Sequence, residues 1–147
     1  MSYLKETSIC GSIIEPLLVM KENIRSRVIM IMDDDRDLLE MIDRKLHSDG
    51  FDTLLSLNGE NFRKIIAKRR PDLILLDLQM QGIQGEDICH DIKSNPATAS
   101  IPIIIFSGNA NLQTIADECG ADAVMDKPFE LKKFDAIIRR FIPRPTG

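Results

Sequence analysis

Five side chains of three chemical kinds each stand at the end of an apolar run. Asp33 and Asp34 follow VIMIM over 28–32, Asp77 follows LILL over 73–76, Ser107 follows the run 101–106, and Lys127 follows the short run 123–125 and Asp126. A lone Asp in such a place is ordinarily a loop residue or helix cap, and Asp35 suits a cap. A lone Lys before a proline is ordinarily solvated. As a set the five say more. Three carboxylates in one pocket repel one another and must be compensated. A hard divalent cation does this with oxygen ligands, and Mg²⁺ takes one or two carboxylates plus water and phosphate. Lys127 offers a second positive charge and Ser107 a neutral hydroxyl donor. These groups around a carboxylate suit the placing of a phosphoryl group on that carboxylate. Asp77 would be the nucleophile, Mg²⁺ and Lys127 would neutralise the phosphoryl oxygens, Ser107 would donate a hydrogen bond, and Gly108 would leave room for the group to enter.

The elements that must bring these residues together alternate strictly. Continuous apolar runs without polar alternation suit strands covered on both faces, as in a parallel sheet. The spacing predicts strands over 28–32, 51–57 (the weakest), 73–76, 101–106 and 123–125, with Pro102 near the start of the fourth, where a missing N–H does least harm. Helices are predicted over 35–48, 59–69, 85–93, 111–118 and 130–141. Their core-facing residues are read as Leu38, Met41, Ile42 and Leu46; Phe62, Ile65 and Ile66; Ile88, Cys89 and Ile92; and, in the last, Leu131, Phe134, Ile137, Ile138 and Phe141. Five strands alternating with five helices predict an α/β fold, a doubly wound five-stranded parallel sheet in the order 2-1-3-4-5, flavodoxin-like. In such sheets ligands bind beyond the carboxyl ends of the strands, with strands one and three side by side at the switch point. Asp77 is therefore expected there, ionised and facing solvent.

Length and composition set the frame. The chain has 147 residues, 44% hydrophobic and 29% charged, enough for one domain with a real core. Its net charge of -4 argues against a general nucleic-acid binder. Cys10, Cys89 and Cys119 follow no metal-ligand spacing and read as free or buried thiols of a cytoplasmic protein. No apolar run is long enough for a membrane helix. Residues 1–26 read as an extension, flexible or a short helix, residues 27–142 as the domain, and residues 143–147 as a tail.

The motifs resemble those of the response-regulator receiver domains of two-component signalling, in the CheY-like superfamily. MDDDRDLLEMIDRKLHSDGF resembles that family's first strand, acidic pair and first helix; LILLDLQMQGIQG its phosphoacceptor strand and loop; IIIFSGNA its Ser/Thr strand; and DKPF its Lys-Pro turn. The resemblance runs from about Arg27 to Phe141. It implies that Asp77 is the phosphorylated aspartate. It also implies that Asp33, Asp34, Asp77 and the Gln79 backbone carbonyl form the Mg²⁺ site, with Asp34 binding directly and Asp33 through water. Ser107 and Lys127 would be the switch pair, Gln79 and Asn109 the positions that tune dephosphorylation, and Lys127-Pro128 a candidate cis bond. Two departures stand out: Gln81 replaces a usual proline in the loop, and Val124 replaces the aromatic that usually lies three residues before the Lys.

The resemblance implies a phosphoacceptor rather than an enzyme, one that assists its own phosphorylation and dephosphorylation. The phosphoryl group would come from a histidine kinase or histidine phosphotransfer protein. A downstream protein would be contacted through the face of the fourth helix, fifth strand and fifth helix. No nucleic-acid or membrane contact is expected within this chain, and a monomer or weak dimer is. Two other readings share parts of the pattern. One is a receiver-fold scaffold that is never phosphorylated. The other is a haloacid-dehalogenase-like phosphatase using Asp33 and Asp35 as a D-x-D pair, although Asp37 stands where that family expects Thr or Val. His47 and His90 lie on predicted helices away from the strand ends and read as surface residues.

Overall fold

The uninterrupted apolar runs become the buried strands of a sheet wrapped on both faces. The structure, a computed structural model, describes residues 25–143. Most of the expected extension, Cys10 and residues 144–147 lie outside the described residues. The elements run β1 (Val28–Met32), α1 (Arg36–Ser48), β2 (Asp52–Ser56), α2 (Phe62–Lys68), β3 (Leu73–Asp77), α3 (Gly85–Ser94), β4 (Ile103–Ser107), α4 (Leu112–Cys119), β5 (Ala123–Asp126) and α5 (Leu131–Phe141). The strands are parallel and ordered β2-β1-β3-β4-β5, as expected. Every residue of β1, β3 and β4 is buried.

Strand periodicity divides the core into two layers. Met30, Met32, Ile74, Leu76, Ile103 and Ile105 face α2, α3 and α4 through Phe62, Ile66, Ile88, Ile92, Leu112 and Ala116. Ile29, Ile31, Leu73, Leu75, Ile104 and Phe106 face α1 and α5 through Leu39, Ile42, Leu46, Phe134 and Ile138. Carboxylates pin the strand starts. Val28 N–H donates to Asp72 Oδ2, and Ile103 N–H to Asp122 Oδ2, each at 2.8 Å. Both satisfy a donor at the sheet's lower edge that has no ladder partner. Among the described residues, no helix is long and apolar enough to cross a membrane.

Several expectations are corrected. In α1 Ile42 and Leu46 are buried as expected, but the third buried residue is Leu39, with Leu38 half-buried and Met41 48% exposed. Leu38, Leu39, Met41 and Ile42 crowd four apolar side chains into five positions, so the helical phase is set by the sheet it packs on. Leu131, expected in the core, is 54% exposed at the first turn of α5. β4 starts at Ile103 rather than at residue 101, because Pro102 has no N–H and Ile101 N–H turns back to the Thr98 carbonyl at 3.0 Å. α2 starts at Phe62 because the preceding residues turn through Gly59, at φ +69°.

Candidate functional site

Strand register brings the chemistry-bearing residues to one edge. Met32 lies in register with Leu76, so Asp33 and Asp77 emerge side by side from β1 and β3. Phe106 lies in register with Asp77, and Ser107 with Asp126, which places Ser107 and Lys127 next along the same edge. Carboxylate oxygens of Asp33, Asp34 and Asp77 lie within 4.8 Å of one another. Lys127 Nζ reaches Asp33 Oδ2 at 2.6 Å and Asp77 Oδ1 at 3.6 Å. The expected acidic cluster and its ammonium partner are therefore assembled. Ser107 is buried, and its carbonyl accepts the Lys127 N–H at 3.0 Å, tying the end of β4 to the turn that carries Lys127. The Lys127-Pro128 bond is cis, as expected.

Local contacts hold each carboxylate. Asp33 is fully buried; its Oδ1 accepts the Asp35 N–H at 2.8 Å and its Oδ2 takes the Lys127 ammonium. Asp34 is exposed. Asp35 caps α1, its Oδ1 accepting the Leu38 N–H at 3.1 Å. The D-x-D reading of Asp33 and Asp35 loses its second member to this cap. Asp77 Oδ1 accepts the Gln79 N–H at 3.3 Å.

Asp77 does not face solvent as expected: it is 4% exposed. Burial raises its pKa to about 6; the Asp33 charge adds to the rise, Lys127 and the Gln79 N–H oppose it, and Asp34 contributes in the raising direction. At that value the carboxylate is still mostly ionised at neutral pH.

The loop after β3 folds back on itself. Gln79 and Gln84 form an antiparallel bridge, Gly85 N–H donates to the Leu78 carbonyl at 3.0 Å, and Gly82 takes φ +92°. Gly85 is sterically required: a Cβ there would lie 2.2 Å from the Asp77 carbonyl oxygen and 2.7 Å from Leu78 Cα. At Gly108 a Cβ would meet nothing nearer than the Lys127 carbonyl oxygen at 4.0 Å, so the protein leaves that side of the edge open. Gln79 is exposed, Asn109 and Val124 are half-buried, and Val124 packs against the α2–α4 layer. His47 and His90 are exposed on α1 and α3, as read from the sequence.

Sequence reasoning missed the aromatic support of Lys127. Its ammonium lies 4.7 Å from the centroid of the Phe106 ring. Phe106 meets Phe129 edge-on at 6.4 Å, and Phe129 stacks on Phe134 at 5.3 Å. The available signal was an aromatic immediately before Ser107 and another two residues after Lys127.

The donor set fits a hard cation. Three carboxylates against one ammonium leave two negative charges uncompensated, and the clustered ligand atoms are all oxygen. That chemistry suits Mg²⁺ rather than a metal that prefers sulfur or imidazole.

Comparisons with known proteins bear on the family and the fold. The family model for the response regulator receiver domain matches residues 29–139. The DNA-binding response regulator MtrA of Mycolicibacterium paratuberculosis is 33% identical over 118 residues, covering 79% of this chain and 51% of the relative. The chain thus spans about half the length of the curated relatives it matches. The receiver domain of a DNA-binding response regulator from Colwellia psychrerythraea superposes with a TM-score of 0.73 at 29% identity, covering 80% of this chain and 98% of that one. The receiver domain of a sensor histidine kinase from Pseudomonas aeruginosa, solved with magnesium in its active-site cleft, shares the fold with a TM-score of 0.71 at 23% identity, covering 80% and 98%.

Proposed function

The chain belongs to the response regulator receiver domain family, and from that premise we propose that it accepts a phosphoryl group on Asp77 and signals through protein contact. One observation carries the reading: Asp33, Asp34 and Asp77 converge within 4.8 Å, and Lys127 reaches two of them, at the carboxyl edge of a 2-1-3-4-5 sheet.

In this reading a carboxylate oxygen of Asp77 attacks the phosphorus of a phosphohistidine on a histidine kinase or histidine phosphotransfer protein. The new P–O bond forms as the P–N bond breaks. Lys127, poised 3.6 Å from the Asp77 carboxylate, follows the charge onto the incoming phosphoryl oxygens. The Phe106 ring beneath it keeps the ammonium at that place. Ser107 donates its hydroxyl to a phosphoryl oxygen. Asp33, Asp34, Asp77 and the Gln79 carbonyl would hold Mg²⁺, which would supply positive charge against the phosphoryl oxygens. Gln79 and Asn109 stand at positions that resemble the family's tuning sites for dephosphorylation and would set the lifetime of the phosphorylated state. Val124 cannot swing as an aromatic would, so the output face of α4, β5 and α5 must read the Ser107 hydroxyl and the loop that follows it.

The test is intact mass after incubation with Mg²⁺ and acetyl phosphate, with Asp77→Asn beside it. One phosphoryl adduct on the wild type and none on the variant is the expected result. No adduct under conditions where Mg²⁺ binds would refute the small-molecule phosphoacceptor reading and favour the scaffold.

A further inference from the structure

Two sulfur atoms in the layer opposite α1 and α5 take no part in the acidic site. Cys89 lies in the middle of α3 and is fully buried; Cys119 is the last residue of α4 and 7% exposed. Both are free thiols. The Cys89 thiol donates to the Cys119 carbonyl oxygen at 3.4 Å, and the Cys119 thiol donates to the Ala116 carbonyl at 3.6 Å. Burial, and then the neighbouring Cys119 side chain, push the Cys89 thiol up. Gly120 closes α4 in the left-handed conformation against the C-terminal end of α3. A Cβ on Gly120, at φ +85°, would lie 3.5 Å from Cβ of Lys93, one helical turn beyond Cys89. A disulfide needs facing Cβ atoms and Cα atoms within about 7 Å. The Cys89 sulfur, 3.4 Å from the backbone carbonyl of Cys119, stands against the residue it would join.

The geometry points to Cys89 and Cys119 as a disulfide-forming pair, a modification site between α3 and α4 that a peroxide closes and a dithiol reopens. Hydrogen peroxide transfers one oxygen to Sγ of Cys119, the more exposed of the two residues, giving a sulfenic acid and releasing water. Sγ of Cys89 then attacks that sulfur. The S–S bond forms, the S–O bond breaks, and the departing hydroxide takes the Cys89 proton as a second water. The two thiols lose two electrons and the peroxide gains them. Cys89 is a poor thiolate where it sits, so contact with its partner, not nucleophilicity, drives the second step.

The position gives the bond a consequence. α3 follows the loop beyond Asp77, and α4 follows the loop beyond Ser107. Joining their bodies would fix the spacing of the two helices that carry those loops. The pair itself does not depend on the phosphoacceptor reading.

The experiment treats the full chain with hydrogen peroxide, alkylates it in denaturant with iodoacetamide, and weighs the tryptic peptides. The expected product is a cross-link between the peptides ending at Lys93 and Lys132, two hydrogens lighter than their sum and abolished by dithiothreitol. The oxidised chain should melt about 5–10 °C above the reduced chain, because the bond closes a loop of moderate length. Cys119→Ser, whose hydroxyl can still donate to the Ala116 carbonyl, should show neither the cross-link nor the shift. The proposal is overturned if Cys89 is fully alkylated after oxidation, if the two sulfurs appear as separate sulfinic or sulfonic acids, or if either is joined only to Cys10.

Discussion

Replacing Asp77 by asparagine should make the metal-free protein more stable while abolishing its proposed reactivity. The carboxylate is 4% exposed and shares its pocket with the buried Asp33. Its pKa rises from 3.8 to about 6, worth about 3 kcal/mol against the native state at about 1.4 kcal/mol per unit. The attraction of Lys127 is already contained in that value. Relaxation of a partly polar site and residual contacts in the unfolded chain reduce the gain from Asp77→Asn to about 1–3 kcal/mol. At this chain length that is a rise in Tm of about 3–10 °C.

The dependence on pH distinguishes this cause from better packing. Above pH 6 Asp77 is ionised in both native and unfolded chains, and the wild type bears the whole penalty. As pH falls from about 6 to about 4, the native carboxylate holds a proton that the unfolded one has lost, so the wild type gains stability on the variant. Below about 4 both states are protonated and the gap closes. Urea unfolding of both proteins with a chelator present, across this range, measures the gap. An Asp77→Asn protein no more stable than wild type at pH 7.5, or a gap that ignores pH, would refute the argument that burial and Asp33 raise this group.

Millimolar Mg²⁺ should narrow or reverse that ranking, because by mass action it raises the Tm of the protein that keeps all three carboxylates; equal shifts in wild type and Asp77→Asn would remove Asp77 from the metal site. Lys127→Ala strands the fully buried Asp33 without its ammonium. It should cost about 3 kcal/mol by urea unfolding, and adding Asp33→Asn should recover most of the loss. Gly85→Ala drives a Cβ into the Asp77 carbonyl. It should cost about 2–3 kcal/mol and slow acetyl phosphate labelling, since the backbone that must yield is the one that aims Asp77.

Residues legible in the sequence were those whose environment their neighbours in the chain dictate. VIMIM, LILL and IIIF are buried on both faces, so their strand character and the emergence of Asp33, Asp77 and Ser107 at one edge followed from unbroken apolarity. What failed depended on distant parts of the chain. The phase of α1, with Leu39 inside and Met41 outside, is chosen by the sheet beneath it. The burial of Asp77 comes from the loop and strands that surround it, so a polar residue at a strand end was read as solvated. The aromatic support of Lys127 joins Phe106 and Phe129, which lie on different elements and carry no pattern in the chain.

The bond between Lys127 and Asp33 joins residues 94 positions apart, and this has a consequence for the protein's life before it is fully made. A nascent chain that has exposed β1 to β4 outside the ribosome already carries all three carboxylates, but their repulsion lacks its ammonium. The pocket is completed only when β5 has emerged and docked beside β4. On the proposed reading, a donor that meets a chain without β5 would find the aspartate but not the ammonium that neutralises the phosphoryl oxygens. Competence to receive a signal would arrive with the last strand of the sheet.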